Sequence, residues 1–452
     1  MVYYYVKAME LLIISKKLTM KFHHYCPLII SLLLITSCNS NLHDDNKTNP
    51  QKPIVIDLEK NLKNFKPASL SQLGASINYI PLETSRSVTI GTIKGIEIDK
   101  EYILVNDKEK NVYLFQQNGA FISTIGKQGR GPNDFILPSV PKIAFGLIYV
   151  PDIIGNKIQI YNFKGAHVNS IKVPEWHLSA TPQLKNWHPT SKSSAYIYVP
   201  INSGGQKYRL IEINDRGDTL STLPNTTFFQ KHLTHSTYSD GTTSSACNIY
   251  KYGSALRMSE RLVDTIREIT NDTLLPIYIT RRGRYGIPTH LLGEDMEQPD
   301  IMSIRKNLIW VWQVFETSNY LFLLVRAYGE NYPFKFKNSR FGFGFPMNIM
   351  VIYNKEKDEY FSVVPSGVDH QLEPLGIEND IDGGINFSPM YSPNERTLVS
   401  WFNAYDLKAH VASEAFRSST PKYPERKREL EALANRLKDD DNPVLMVVTF
   451  EE

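Results

Sequence analysis

The sequence predicts an all-β chain, a six-bladed β-propeller of four-stranded blades with a short helix before a closing C-terminal strand. Three observations carry this reading. First, the 452 residues include 25 Tyr and 21 Phe, a bias toward side chains that pack well on pleated sheets. Second, two adjacent stretches between residues 88 and 173 repeat one another, with Asp107 and Asp152 45 residues apart and Gly119 and Gly165 46 apart. A period of that size, with four short β-rich runs per unit, marks a propeller blade. Third, the chain ends in Val444-Leu-Met-Val-Val-Thr-Phe450, a strand with no local partner, which a ring closing on itself would pair.

The elements follow in order. Residues 1–37 read as a signal peptide, with Met20 as the alternative start: Met20–His24 is polar and basic, and Pro27–Ile35 is an apolar run too short to span a bilayer. That run ends in Ile35-Thr36-Ser37-Cys38, which resembles a bacterial lipobox, so Cys38 is the expected lipidated first residue of the mature chain. Residues 38–53 are polar and read as a flexible tether, and residues 54–452 read as the propeller.

Blade one comprises TIKGIEID, EYILVND, NVYLFQQNG and FISTIG; blade two comprises VPKIAFG, LIYVPD, NKIQIYNFKG and HVNSIKV. The third run of each is strongly apolar, as suits a strand packed between neighbouring blades. Asn118-Gly119 and Lys164-Gly165 supply the positive φ that tight hairpins need, and Gly217 takes the same role in blade three, residues 195–223. Residues 246–280 read as blade four, with Leu262–Ile269 open to either strand or helix. Residues 288–307 form a polar insertion, 309–366 blade five, and 386–404 the start of blade six. Leu430, Leu433 and Leu437 line one face of a helix begun by Pro424 and Glu425. An N-terminal strand such as Ile54–Leu58 is the expected neighbour of Val444–Phe450.

Composition narrows function. The net charge is +3, but residues 1–37 hold four lysines against one glutamate, which leaves the remainder near neutral and without the basic footprint of a nucleic-acid binder. Of three cysteines only Cys247 lies in the body, so stability rests on packing rather than disulfides, and no Cys/His cluster points to zinc. Cys247 itself reads as a semi-buried bystander rather than a catalytic nucleophile.

The runs YIPLETSRSVTIGTIKGIEI (79–98), STIGKQGRGPNDF (123–135), GIENDIDGGINFSPMY (376–391) and LKDDDNPVLMVVTF (437–450) resemble the six-bladed β-propeller lipoproteins of Bacteroides-type bacteria. The resemblance covers essentially the whole mature chain. It implies a lipid-anchored propeller in the outer membrane, periplasmic or surface-exposed, of a kind met beside nutrient-uptake systems. It supplies no activity and no catalytic residues. Asp44 and Asp45 are similar to the acidic signals that send some such lipoproteins to the cell surface, and read equally as ordinary linker charge.

Candidate chemistry is sparse. The glycine-rich loop Gly126–Pro132 lacks the helix that a phosphate cradle needs, and reads as an inter-blade connection with Lys127 and Arg130 as candidate donors to an anionic or sugar ligand. Asp380 and Asp382 beside two glycines offer the clustered oxygens that calcium takes, although the spacing departs from an EF-hand and an Asx-turn uses the same residues. Trp310, Trp312 and Phe341–Phe345 suit either inter-blade core or a sugar-stacking platform, and Arg281, Arg282 and Arg284 a solvated loop. His290 and His370 fall in loops, and no nucleophile elbow or HExxH motif is present. The preferred reading is a non-enzymatic binding or assembly module for a glycan, peptide or outer-membrane uptake protein, without a cofactor. The alternative is a calcium-dependent hydrolase or lactonase-type propeller enzyme.

Overall fold

A computed structural model describes residues 52–174, 184, 186–199, 207–226, 247–261, 263–286, 308–327, 347–364 and 376–451. The expected signal peptide, Cys38, most of the tether, the 288–307 insertion, Phe341–Phe345, His290 and His370 lie outside these residues.

The described strands form six sheets, one per blade, each built on four antiparallel strands, with a fifth, parallel strand on the edges of blades 4 and 5. Blade 1 runs Ile93–Ile98, Tyr102–Asp107, Val112–Gln116 and Phe121–Thr124; blade 2 runs Lys142–Ala144, Leu147–Asp152, Lys157–Tyr161 and His167–Lys172. Blade 3 uses Trp187–Pro189, Ser194–Tyr198, Tyr208–Asn214 and Thr219–Pro224; its first strand lies upstream of the expected 195–223. Blade 4 is Cys247–Tyr252, Ala255–Glu260, Thr265–Ile269 and Leu274–Arg281. Thr265–Ile269 is therefore strand rather than helix, because it is flanked by two strands that take up its backbone groups. Blade 5 is Ile309–Glu316, Tyr320–Ala327, Met347–Asn354 and Glu359–Val363.

The sequence anticipated the closure of the ring but not the strand that completes it. Blade 6 is built from Tyr391–Asn394, Thr397–Phe402, Val444–Phe450 and, outermost, Ala75–Pro81. Val444 pairs with Pro81 and Phe450 with Ala75, so seven residues face seven. Ile54–Asp57, expected in this place, is too short to do so. It lies parallel to Tyr278–Arg281 on the outer edge of blade 4. From there the N-terminal segment forms a one-turn helix, Leu58–Asn61, capped by the Asp57 carboxylate, which accepts a hydrogen bond from Lys60 N at 3.1 Å. Phe65–Lys66 then adds to the edge of blade 5. One strap thus covers two open edges before becoming the last strand of the third blade it reaches.

Each seam between blades has its own apolar core. In blade 1, Ile103, Val105 and Phe115 pack toward blade 6, while Leu104, Val112 and Leu114 pack toward blade 2. Burial of both faces is why these strands read as unbroken apolar runs. The repeated hairpin glycine has a geometric cause at Gly119. Its φ is +87°, and a Cβ there would stand 2.2 Å from the Pro81 carbonyl oxygen.

A helical insertion separates the second and third strands of blade 6. The expected helix spans Pro424–Arg436, with Leu430 and Leu433 buried. It is joined by two others, Ala404–Ala412 and Glu414–Ser418, whose Leu407 and Phe416 complete a small core against it.

Candidate functional site

The residues singled out in the sequence sit in two separate connections between blades. Lys127 and Arg130 lie in the link from blade 1 to blade 2, where Gly129 N donates to Phe135 O at 3.0 Å and Phe135 N to Lys127 O at 3.2 Å. This loop is clamped onto blade 2: Gln159 Nε2 donates to the Pro132 and Asp134 carbonyls at 2.9 and 2.7 Å, and Tyr161 OH donates to Asn133 O at 2.7 Å. Lys127 reaches Asp134 at 3.9 Å, and Arg130 is exposed.

Asp380 and Asp382 lie between blades 5 and 6. Asp380 accepts hydrogen bonds from Ser71 N at 2.9 Å and Ser71 Oγ at 2.5 Å. Buried Asp382 accepts, on one oxygen, from Asn379 Nδ2 at 2.6 Å, Gly384 N at 2.9 Å and Tyr79 OH at 3.2 Å. The Gly384 contact is the Asx-turn, and Tyr79 ties it to the outermost strand of blade 6. Burial raises the Asp382 carboxyl above its ordinary range. Among the described residues, no three His, Cys, Asp or Glu side chains gather as a metal-binding group.

Arg281 and Arg284 are exposed, as expected of a solvated segment, but each reaches an acid, and Arg282 is buried. Arg281 Nη1 approaches Asp57 Oδ2 at 3.3 Å, Arg284 Nε approaches Glu59 Oε1 at 3.6 Å, and buried Arg282 donates to the Arg261 and Val263 carbonyls at 2.8 and 2.7 Å. The acids belong to the N-terminal strap, whose position no local pattern could announce. Trp310 is buried, and Trp312 stacks beneath the Arg326 guanidinium at 3.4 Å from its ring centre.

Cys247 is buried in the seam between blades 3 and 4, and burial, with the Glu260 carboxylate as the second cause, pushes its thiol well above the ordinary value. A thiol-specific reagent is therefore expected to modify Cys247 only on unfolding. Stoichiometric labelling of the native protein at this residue, located by peptide mass, would contradict that placement.

Sequence inspection did not single out the polar groups at the ring axis. The first strands lie innermost, where those of blades 1 and 2, 2 and 3, 4 and 5, 5 and 6, and 6 and 1 touch, and those of blades 4 and 6 meet as well. They carry Glu97 in blade 1, Lys142 in blade 2, His188 in blade 3, Lys251 in blade 4 and Tyr391 in blade 6. Lys142 Nζ stands 4.0 Å from Glu97 Oε2, and Tyr391 donates a hydrogen bond to the same carboxylate. Burial raises the Glu97 carboxyl, against the opposing pull of Lys142, Lys251 and Tyr391. Burial also holds the His188 imidazole well below its ordinary value, reinforced by the same two lysines, so the ring is neutral near pH 7. Its Nδ1 is buried without a hydrogen-bond partner among the described residues.

Between the first strands of blades 3 and 4 a cavity of about 330 Å³ opens, lined by His188, Thr190, Tyr196, Glu212, Lys251 and Asn271 among others. Glu212 is fixed in its wall, accepting from Thr190 Oγ1 at 2.6 Å and Ser221 Oγ at 2.9 Å. Lys251 is exposed and makes no ion pair with a described residue. A signal for part of this cluster was present in the sequence. Glu97, Lys142 and His188 are spaced by 45 and 46 residues, the blade period itself, so they occupy one phase of the repeat and meet at the axis.

A solved structure shares this architecture. A protein from Bacteroides fragilis assigned as exported superimposes with a TM-score of 0.62 at 17% identity, over 89% of this chain and 100% of that one. A member of the DUF4221 family from Bacteroides vulgatus reaches a TM-score of 0.41 at 11% identity, over 64% of this chain and 86% of the other. No curated protein matches the chain. The match that identifies it is at the family level and spans nearly all of the propeller. Over residues 53–449 the chain belongs to the family described as domain of unknown function DUF4934.

Proposed function

We propose that this protein is a lipid-anchored, extracytoplasmic propeller that binds a polar ligand, a glycan fragment or peptide, without turning it over, in support of nutrient uptake. The observation that carries the binding reading is the axial cavity. Its walls are short strands locked in a closed ring, and its polar groups converge from different blades at fixed positions. Rigid scaffolds of this kind present preformed sites, which lowers the ordering cost of binding. Export rests on the apolar run ending in Cys38, and on the exported assignment of the Bacteroides fragilis protein with the same fold.

Two measurements test the proposal. Cys38→Ala in the full chain is expected to stop incorporation of labelled palmitate and to shift the protein out of the membrane fraction. Persistent labelling and membrane association would refute the anchor. For activity, the purified full chain is offered glycan fragments, peptides, lactones, esters and glycosides, with and without EDTA. Saturable binding without turnover is expected. Turnover that is lost with EDTA and in Asp382→Ala would replace the binding reading with a calcium-dependent hydrolase.

A further inference from the structure

Of the charged groups around the axial cavity, Lys251 lacks an ion-pair partner among the described residues, and it specifies a ligand. Glu97 has its cation in Lys142 and a hydroxyl donor in Tyr391. Glu212 has two hydroxyl donors, Thr190 and Ser221. Lys251 lines the same cavity, exposed and without an acid within ion-pair distance among the described residues. Beside it His188 presents a buried Nδ1 that no described group satisfies.

Resting on the binding reading above, the geometry points to a small hydroxylated monocarboxylate, of the hexuronate class, as the ligand of this cavity, with its carboxylate on Lys251 and its hydroxyls on Glu212, Thr190 and Asn271. The choice among anions follows from the walls. Lys251 is one point charge, with no guanidinium fork beside it in the lining to clasp a phosphate at two oxygens. The Glu212 carboxylate in the same space repels a dianion more strongly than a monoanion. Its remaining lone pairs accept hydrogen bonds from hydroxyls, which a simple fatty acid lacks. The cavity volume of about 330 Å³ stands at the lower end for small-molecule sites and suits a single sugar unit.

Calorimetric titration of the full chain with sodium glucuronate, glucose and glucose 6-phosphate tests the assignment. Glucuronate is expected to bind at least about tenfold more tightly than either of the others. Lys251→Met is expected to remove that preference by lowering glucuronate affinity to the level of glucose, and because Lys251 is exposed the variant should melt as the wild type does. Glu212→Gln is expected to strengthen glucose 6-phosphate binding by relieving repulsion, a change that a merely structural glutamate would not produce. The assignment is overturned by non-saturable glucuronate binding, by equal affinity for glucose, by tighter binding of glucose 6-phosphate, or by a Lys251→Met protein that still prefers glucuronate. A ligand from the wider panel that binds saturably and ignores Lys251→Met would overturn the assignment and leave the binding reading standing. A panel in which nothing binds would remove both.

Discussion

Deleting residues 443–452 is expected to abolish cooperative unfolding and to leave an aggregating chain, rather than to lower the melting temperature by a few degrees. The lost strand is not peripheral. Val444–Phe450 lies third in blade 6, paired on one side with Thr397–Phe402 and on the other with Ala75–Pro81. Its Val444, Leu445, Met446, Val448 and Phe450 are buried, and they serve the seams toward blades 1 and 5 and the helical core. Each such side chain contributes about 1.5–3 kcal/mol by burial, so together they approach the whole stability of a domain, about 5–15 kcal/mol. Two unpaired strand edges would also be left open to other chains. Circular dichroism melts and light scattering decide the matter. A truncated protein with a single transition at the wild-type midpoint would rule out closure by this strand.

The second large effect concerns Glu316. It is wholly buried at the end of the first strand of blade 5 and accepts hydrogen bonds from Arg257 Nη1 at 2.6 Å, Lys355 Nζ and Tyr278 OH at 2.7 Å, and Tyr250 OH at 3.0 Å. Tyr250, Arg257 and Tyr278 belong to blade 4, so this carboxylate ties two blades together. Glu316→Ala would leave the Lys355 ammonium without its anion and Arg257 with Glu268 alone, at 3.2 Å, at a cost of about 3–5 kcal/mol. Burial alone would raise the Glu316 carboxyl, but Lys355 and Arg257 outweigh it and hold the group below its ordinary 4.5. A carboxylate with a depressed value in the folded state stabilises the protein above its unfolded value, and that stability is lost as pH falls through the folded value. The wild type should therefore lose stability on acidification below about pH 4.5, and Glu316→Gln should show a shallower acid slope from a lower starting stability. Urea midpoints measured across that range provide the test. A Glu316→Gln protein as stable as the wild type at neutral pH would show that the network is not needed.

The two seams flanking blade 4 share this device. On the other side Glu260 accepts from Arg267 Nη1 at 2.9 Å and Tyr198 OH at 2.9 Å, with Arg209 Nε at 3.1 Å. The apolar cluster in that seam is small among the described residues, and the axial cavity opens beside it. A ring held there by buried ion pairs can leave space near the axis without losing its register, because paired charges are specific about their partners in a way that apolar contacts are not.

The sequence by itself determined the blade. Four runs per unit, the 45- to 46-residue spacing and the hairpin glycines are local facts, because strand pairing within a blade joins neighbours in the chain. It also determined that the ring closes, since an apolar terminal strand has to be covered. Only the tertiary structure decided which N-terminal strand closes it. Ile54–Asp57 and Ala75–Pro81 both read as strands, and the choice depends on matching seven residues of a partner more than 360 positions away. The same holds for the arginines at 281–284, whose acids arrive with the strap, and for Asp382, whose oxygen is occupied by Tyr79 from across the fold. The axial cluster stands between these cases. The repeat phase placed Glu97, Lys142 and His188 on equivalent strands, but Lys251 falls 63 residues after His188, out of phase, and joins them only because blade 4 curves back to the same axis. Periodicity records what each blade has in common; a binding site is made where the blades differ, and those differences acquire meaning only when the ring brings them face to face.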